Sequence, residues 1–202
     1  MRMSAPRRLA LAATGAAVIT GLLLGGAAGA SASPAATSPA APAASASTAI
    51  PHSVLLTSAE LPDVGSPWSS QEITYDTNQQ LMASAETADG AYTAGSTVGK
   101  YRNEAEAAYY SDTARLLADA QSRIGQGGLD PVHYTKLTTV DGVDVFQVAY
   151  YTWGYYVGDA VVFATHDGLY TYQVKLWLPD PSTATPDVTA TIAAVKRHLA
   201  TL

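Results

Sequence analysis

Strand-like patterns dominate the C-terminal half of the chain. Four runs rich in Tyr, Val and Thr extend over roughly 133–140, 143–153, 157–166 and 169–178, and two earlier runs cover 68–75 and 91–101. Asp-Gly pairs occupy 141–142 and 167–168, and this dipeptide favours a tight hairpin turn. The pattern predicts an antiparallel meander.

Helical periodicity marks two longer segments. The stretch "NEAEAAYYSDTARLLADAQSRIGQGG" predicts one long helix with Asn103 as its N-cap and Gly125 as its stop, and with a buried stripe of Tyr109, Leu116, Ala120 and Ile124. The closing segment predicts a helix after Pro186 that buries Val188, Ile192, Val195 and Leu199. Near the start, Thr57 and Glu60 have capping-box spacing, which predicts a short helix.

Two-residue turns fix the register of a meander, so its faces can be predicted. Turns at Asp141-Gly142, Tyr155-Tyr156 and Asp167-Gly168 pair Leu137 with Phe146, Val148 with Phe163, and Phe163 with Tyr172. One face is then apolar: Leu137, Phe146, Val148, Tyr150, Val161, Phe163, Tyr172, Val174 and Leu176. The other is mixed: Tyr134, Lys136, Gln147, Tyr151, Trp153, Val162, Gln173, Lys175 and Trp177. A one-residue slip at the middle turn would exchange the faces of the first two strands.

These elements predict an α+β fold. We expect an antiparallel β-meander sheet with a long central helix and a C-terminal helix packed on one face. About 150 residues form this domain, which is long enough to bury a core without disulfides, and the chain has no cysteine.

The N-terminal segments predict export. Residues 1–32 combine Arg2, Arg7 and Arg8 with a long uncharged apolar run and a small-residue site ending at Ala32, as a cleaved signal peptide does. A retained membrane anchor is the alternative, and the Sec or Tat route stays open. Residues 33–50 are almost entirely Ala, Ser, Pro and Thr, which predicts an extended linker before a single domain at 51–202. The predicted localisation is secreted, with cleavage near Ala32.

The charge balance excludes two classes of partner. The full chain has 11 basic and 17 acidic residues, and the predicted signal removes three of the basic ones. The mature protein would be strongly acidic, whereas nucleic acids and anionic lipids select basic surfaces. We therefore expect an extracytoplasmic ligand or protein as the partner, with no nucleic acid and no stable membrane anchor after signal cleavage.

No catalytic or metal-binding signature is present, so no cofactor and no metal is predicted. The four histidines are scattered over the predicted elements. Asp159 is the exception, because the register places it on the apolar face opposite Leu176, where a carboxylate needs a partner or a cavity. It could form the floor of a cleft near His133, or it could reach water at the end of the sheet.

An aromatic run, "YYTWGYY" at 150–156, indicates a recognition surface. Exposed Trp and Tyr side chains commonly anchor sugars, peptides and proteins. The candidate ligand-binding residues are Tyr151, Trp153, Tyr155, Tyr156, Trp177 and Asp159, and no catalytic residue is assigned. Alternatively, these rings cover the sheet and serve only its packing.

The overall layout resembles the PknH-like extracellular sensor domains of actinobacteria. The features that carry the likeness are the alanine-rich export signal, the Ser/Pro/Ala stalk, "LLTSAELP" at the start of the domain, and "YRNEAEAAYYSDTARLL" before Tyr-rich strands and a closing helix. The resemblance covers roughly residues 53–201, and the chain lacks the paired cysteines usual in that family. It implies a non-catalytic domain with a cleft for an extracytoplasmic ligand, and it assigns no binding residue.

The function predicted from these features is a secreted, non-catalytic, sensor-like ligand-binding domain of the actinobacterial cell envelope. Two alternatives stay open. One is a small exported enzyme of the hydrolase type that uses Asp159 and a histidine, and the other is a secreted protein that binds or inhibits another protein.

Overall fold

Seven antiparallel strands form one sheet in the part of the chain that the structure, a computed structural model, describes: residues 49–123, 130–152 and 154–202. The strands are β1 (Glu72–Asp76), β2 (Gln80–Glu86), β3 (Thr93–Lys100), β4 (Asp130–Val140), β5 (Val143–Thr152), β6 (Tyr155–Asp167) and β7 (Tyr170–Trp177). Their order across the sheet is β1-β2-β3-β7-β6-β5-β4, so two meanders meet where β7 pairs with β3. With helices packed on this sheet, the α+β class is confirmed.

Three α-helices and two short 3₁₀ helices accompany the sheet within the described residues. They are α1 (Glu104–Ser111), α2 (Thr113–Gln121) and α3 (Thr189–Leu199), with 3₁₀ turns at His52–Val54 and Ser58–Glu60. The C-terminal helix has its predicted buried stripe, because Val188, Ile192, Val195 and Leu199 are all buried. The predicted signal peptide and nearly all of the predicted linker lie outside the described residues.

The predicted central helix is two helices. Asp112 leaves the helical conformation, with ψ of 98°, and its carboxylate accepts a hydrogen bond from the backbone N–H of Arg115 at 3.0 Å. This cap starts a new helix with a different buried side, so the predicted stripe is wrong: Tyr109 is exposed, and Leu117 is buried. Asn103 caps α1 as predicted, while Ile124 and Gly125 lie outside the described residues.

The sheet is covered on both faces, not on one. On the first face, α3 and the N-terminal segment bury the larger core cluster, which includes Val161, Phe163, Tyr172, Val174 and Leu176. On the second face, Leu117 of α2 packs on Phe146, Val148, Tyr150, Ala160 and Val162. Because Val161 and Val162 are neighbours on one strand, these two clusters lie on opposite sides of the sheet.

The register of the β5–β6 hairpin explains this difference. Thr152 pairs with Tyr155, and a bulge lets Tyr150 pair with Gly158, so Val148 meets Ala160 instead of Phe163. The offset from the predicted pairing is an odd number of residues, which exchanges faces. Phe146, Val148 and Tyr150 were therefore assigned to the wrong face.

The other two hairpins differ less. Asp167 pairs with Tyr170, which moves the predicted β6–β7 pairing by two residues: Phe163 lies opposite Val174, and Val161 lies opposite Leu176. An even offset preserves the faces. The turn at Asp141-Gly142 is as predicted, but a bulge near Leu137 places Lys136 opposite Phe146 and leaves Leu137 exposed.

The N-terminal part of the domain completes the first face. Ile50, Val54, Leu56 and Leu61 are buried in the larger cluster, and β2, which was not predicted, adds Leu81 and Ala85 to it. Glu60 joins this segment to α3, because its carboxylate contacts Nε2 of His198 at 3.1 Å and Nη2 of Arg197 at 3.3 Å. Among the described residues, no helix has the length and apolar character needed to span a membrane.

Candidate functional site

The predicted ligand-binding residues divide between the two faces of the sheet. Strand pairing puts Tyr151 opposite Tyr156, on the face that also carries Asp159. Alternation along β6 puts Tyr155 on the other face, together with Trp177. Trp153 lies outside the described residues. The structure therefore presents two separate clusters at one end of the sheet.

The first group, here called the tyrosine cluster, consists of Tyr151, Tyr156 and Asp159. The two rings meet edge to face, with their centroids 5.6 Å apart. Tyr156 is 45% exposed, so the contact holds an accessible ring in one orientation. Partial burial, together with the charge and hydrogen bonding of the nearby Asp159 carboxylate, raises the pKa of Tyr156. At neutral pH its hydroxyl is thus a neutral hydrogen-bonding group.

Asp159 is buried on the α3 face, as the sequence predicted. It is only 8% exposed, so at most a small part of it reaches water. Its Oδ2 accepts a long hydrogen bond of 3.4 Å from Nε2 of Gln147. Just after β7, the residue next to Asp159 is Leu178, whose backbone N–H donates to the Asp159 carbonyl at 3.0 Å. The predicted pairing of Asp159 with Leu176 is therefore wrong.

The histidines give Asp159 no catalytic partner within the described residues. Three of them bond elsewhere: His52 to Asp76, His166 to Ser111, and His198 to Glu60 and the Ser53 carbonyl. His133 on β4 pairs with Ala149 on β5, which in turn pairs with Asp159 on β6. His133 therefore lies two strands from Asp159, at a distance of about 10 Å. The described residues also contain no group of three or more His, Asp or Glu side chains placed to hold a metal ion.

The second group, here called the lysine box, consists of Lys175, Tyr150 and Trp177. Nζ of Lys175 lies 3.6 Å from the centroid of the Tyr150 ring and 4.0 Å from that of Trp177. The two rings are themselves 5.1 Å apart, and Trp177 packs against the smaller core cluster. Trp177 is therefore partly buried in this packing and is not a freely exposed ring.

The electrostatics of the lysine box are unusual. Lys175 is 8% exposed, and burial lowers its pKa from 10.5 to about 7, because the charged form loses water. Burial also raises the pKa of Tyr150, so that phenol stays neutral. The described residues supply no carboxylate within ion-pair distance of Lys175. Within the described ranges, the groups that contact the amine are the faces of the Tyr150 and Trp177 rings.

Sequence reasoning found part of the lysine box. Lys175 and Trp177 were correctly placed on one face, since they are two residues apart on a strand. Tyr150 was placed on the opposite face by the wrong β5–β6 register. The available signal was the lysine inside the otherwise apolar run "VKLW", where an ordinary lysine would face water.

A further cavity of about 480 Å³ lies beside the second 3₁₀ helix, away from both clusters. Its lining includes Leu61, Pro62, Pro67 and Trp68, and none of the predicted ligand-binding residues. Nε1 of Trp68 donates to the carbonyl of Pro62 at 2.7 Å, so the indole closes the loop that forms the cavity wall. This residue serves the local structure of the N-terminal segment.

Comparison with family models, with curated proteins and with solved structures finds no match to this chain.

Proposed function

We propose that this domain is a secreted, non-catalytic ligand-binding module of the cell envelope, with a sensor-like role. Its export and its actinobacterial setting rest on the predicted signal peptide and on the resemblance to PknH-like sensor domains. The observation that carries the binding role is the tyrosine cluster, in which an accessible Tyr156 ring is held by Tyr151 and lies beside Asp159.

The chemistry of this cluster favours the uncharged sugar rings of a cell-wall glycan as the surface that is bound. Ring faces stack on the C–H surfaces of sugars, while the Tyr156 hydroxyl can bond their hydroxyl groups. The predicted mature chain is acidic, which disfavours anionic polymers. Among the described residues, Asp159 contacts Gln147 and Tyr156 and no histidine, an arrangement that positions the Tyr156 hydroxyl for binding.

The test is a sedimentation assay with purified, insoluble peptidoglycan as the probe. Wild-type protein should sediment with it, and the Tyr151→Ala/Tyr156→Ala double variant should lose at least about 90% of this binding, because exposed aromatic anchors dominate such contacts. The matched control is Tyr75→Ala, which removes a tyrosine of the same 45% exposure from β1 at the far edge of the sheet.

Two outcomes contradict the proposal. If Tyr75→Ala reduces sedimentation as much as the double variant does, binding is not specific to the tyrosine cluster. Failure of the wild type to bind peptidoglycan, together with capture of a single protein that depends on Tyr156, would assign the same surface to a protein partner.

A further inference from the structure

The amine of Lys175 has no ionic partner, although its side chain is more than nine-tenths buried. Its Nζ lies against the Tyr150 and Trp177 rings, and its strand neighbours on this face are Val162 on β6 and Gly95 on β3. Structural lysines in such places usually face a carboxylate. In the described part of the chain, this one faces only rings and apolar groups.

The amine is not completely enclosed. Among the described residues, the side-chain polar atoms that are enclosed without a hydrogen-bond partner are Oε1 of Gln71 and Nη2 of Arg115, and Nζ of Lys175 is not one of them. On the β3 side, a Cβ atom added at Gly95 would have only the Lys175 carbonyl oxygen within 4 Å, at 3.8 Å, so no side chain packs directly against Gly95. The side of Gly95 is therefore the side from which we expect a small molecule to approach Lys175.

This environment makes the amine nucleophilic at neutral pH. With a pKa of about 7, half of Lys175 is neutral at pH 7, whereas roughly 0.04% of an ordinary lysine is. Lysines activated by burial are the ones that form Schiff bases with carbonyl compounds. The flanking rings offer stacking surfaces to a planar, unsaturated carbonyl compound.

We infer that Lys175 is a covalent capture site for small aldehydes, which it binds as an imine beside the Tyr150 and Trp177 rings. The lone pair of Nζ attacks the carbonyl carbon and forms a C–N bond, while one proton passes from nitrogen to the carbonyl oxygen. The resulting carbinolamine loses its hydroxyl and the remaining nitrogen proton as one water, which leaves a C=N bond. The step releases one water and needs no oxidant or reductant.

The sequence contains four lysines, at positions 100, 136, 175 and 196, so selectivity can be measured in one experiment. Purified protein is incubated at pH 7 with substoichiometric pyridoxal, the imine is trapped with cyanoborohydride, and the labelled peptides are quantified by mass spectrometry. We expect at least tenfold more label on Lys175 than on any other lysine. Lys175→Arg should abolish that label, and Lys136→Arg should leave it unchanged, because Lys136 forms an ion pair with Asp144 elsewhere on the sheet.

A second variant tests the approach path without removing the amine. Gly95→Leu should reduce labelling of Lys175 at least fivefold, because its side chain would fill the space on the β3 side. Equal labelling of the four lysines, or Lys175 as the least labelled, would overturn the proposal and make Lys175 a structural residue only. Unchanged labelling in Gly95→Leu would refute the approach across β3. The wild-type measurement stands even if a variant fails to fold.

Discussion

Nζ of Lys175 lies 3.6 Å from the centroid of the Tyr150 ring, although β6 separates the strands that carry the two residues. The contact is possible because β6 presents Ala160 and Gly158 on this face, so little side-chain volume stands between β7 and β5. A four-carbon stem can then cross the intervening strand and bury its amine against the ring.

Burial of Lys175 makes stability depend on pH. Its pKa is about 7 in the folded state and 10.5 when unperturbed, so between these values the unfolded chain binds a proton that the folded chain lacks. Stability should therefore rise with pH over this interval, by at most about 2–3 kcal/mol between pH 6 and pH 9. Urea denaturation at pH 6, 7 and 9 should show this rise in the wild type and its loss in Lys175→Met.

The control for this effect is Lys136→Met, which removes a half-exposed lysine. Tyr150 is the titratable group in contact with Lys175, and its raised pKa keeps it neutral over this interval. On α2, which covers this face, Arg115 and Asp119 pair with each other. Parallel pH profiles for the wild type and Lys175→Met would contradict the assignment of a lowered pKa to Lys175.

Phe163 occupies the centre of the larger core cluster and is 1% exposed. Phe163→Ala should reduce the free energy of unfolding by about 3–5 kcal/mol, because it leaves a cavity between the sheet and α3. Leu169→Ala, at an exposed position in the next turn, should change it by less than about 0.5 kcal/mol. Equal effects in chemical denaturation would show that Phe163 does not face the core.

Replacing Trp177 tests whether this predicted ligand-binding residue has a structural role instead. Its indole packs on Tyr150, on Lys175 and above Gly158, so Trp177→Ala should cost about 2–4 kcal/mol. Tyr155→Ala removes a ring that is 77% exposed and should leave the melting temperature within a few degrees. A Trp177→Ala variant as stable as the wild type would restore Trp177 as a free recognition residue.

Glu60 should make the protein sensitive to acid. Partial burial opposes its ionisation, but hydrogen bonds from Thr57 and His198 outweigh this and lower its pKa from 4.5 to about 2. A lowered carboxylate pKa contributes stability that is complete above about pH 4.5 and is lost as pH falls toward 2. Glu60→Gln should cost about 1 kcal/mol at pH 7, where it also breaks the cap.

The measurement is thermal unfolding of the wild type and Glu60→Gln between pH 2 and pH 7. The difference in melting temperature should shrink as the pH falls below 4.5, because protonation removes the same charge. Glu72→Gln, an exposed position on β1, serves as the control. A difference in melting temperature that stays constant down to pH 2 would show that folding does not lower the pKa of Glu60.

The predicted export and signal cleavage would give the mature protein a defined new N-terminus. Protein recovered from the culture medium should begin at Ser33, or at Ser31 if the earlier small-residue site is used. Edman sequencing or intact-mass analysis distinguishes these from the full-length chain. An intact Met1 in a membrane fraction would contradict the predicted cleavage and favour a retained anchor.

Local patterns determined much of this fold. The amphipathic stripe of α3, the capping pair Thr57–Glu60 and the turn at Asp141-Gly142 are each specified by residues within a few positions of one another, and all three are present in the structure. The faces of β6 and β7 were also correct, because their pairing differs from the predicted one by two residues, an even number. Short-range chemistry suffices for such features.

Tertiary structure decided the rest. The β5–β6 turn has no dipeptide that specifies its position, and the bulge beside Gly158 adds a residue, so the faces of Phe146, Val148 and Tyr150 depended on which side the helices could cover. The small residues of β2 carry a weak strand signal, and the pairing of β7 with β3 joins segments about 80 residues apart in the chain. The β5–β6 register, set by the core, brings the Tyr150 ring to Lys175 and divides the predicted aromatic site between opposite faces. Strand parity, once set, fixes the direction of every side chain on the strand.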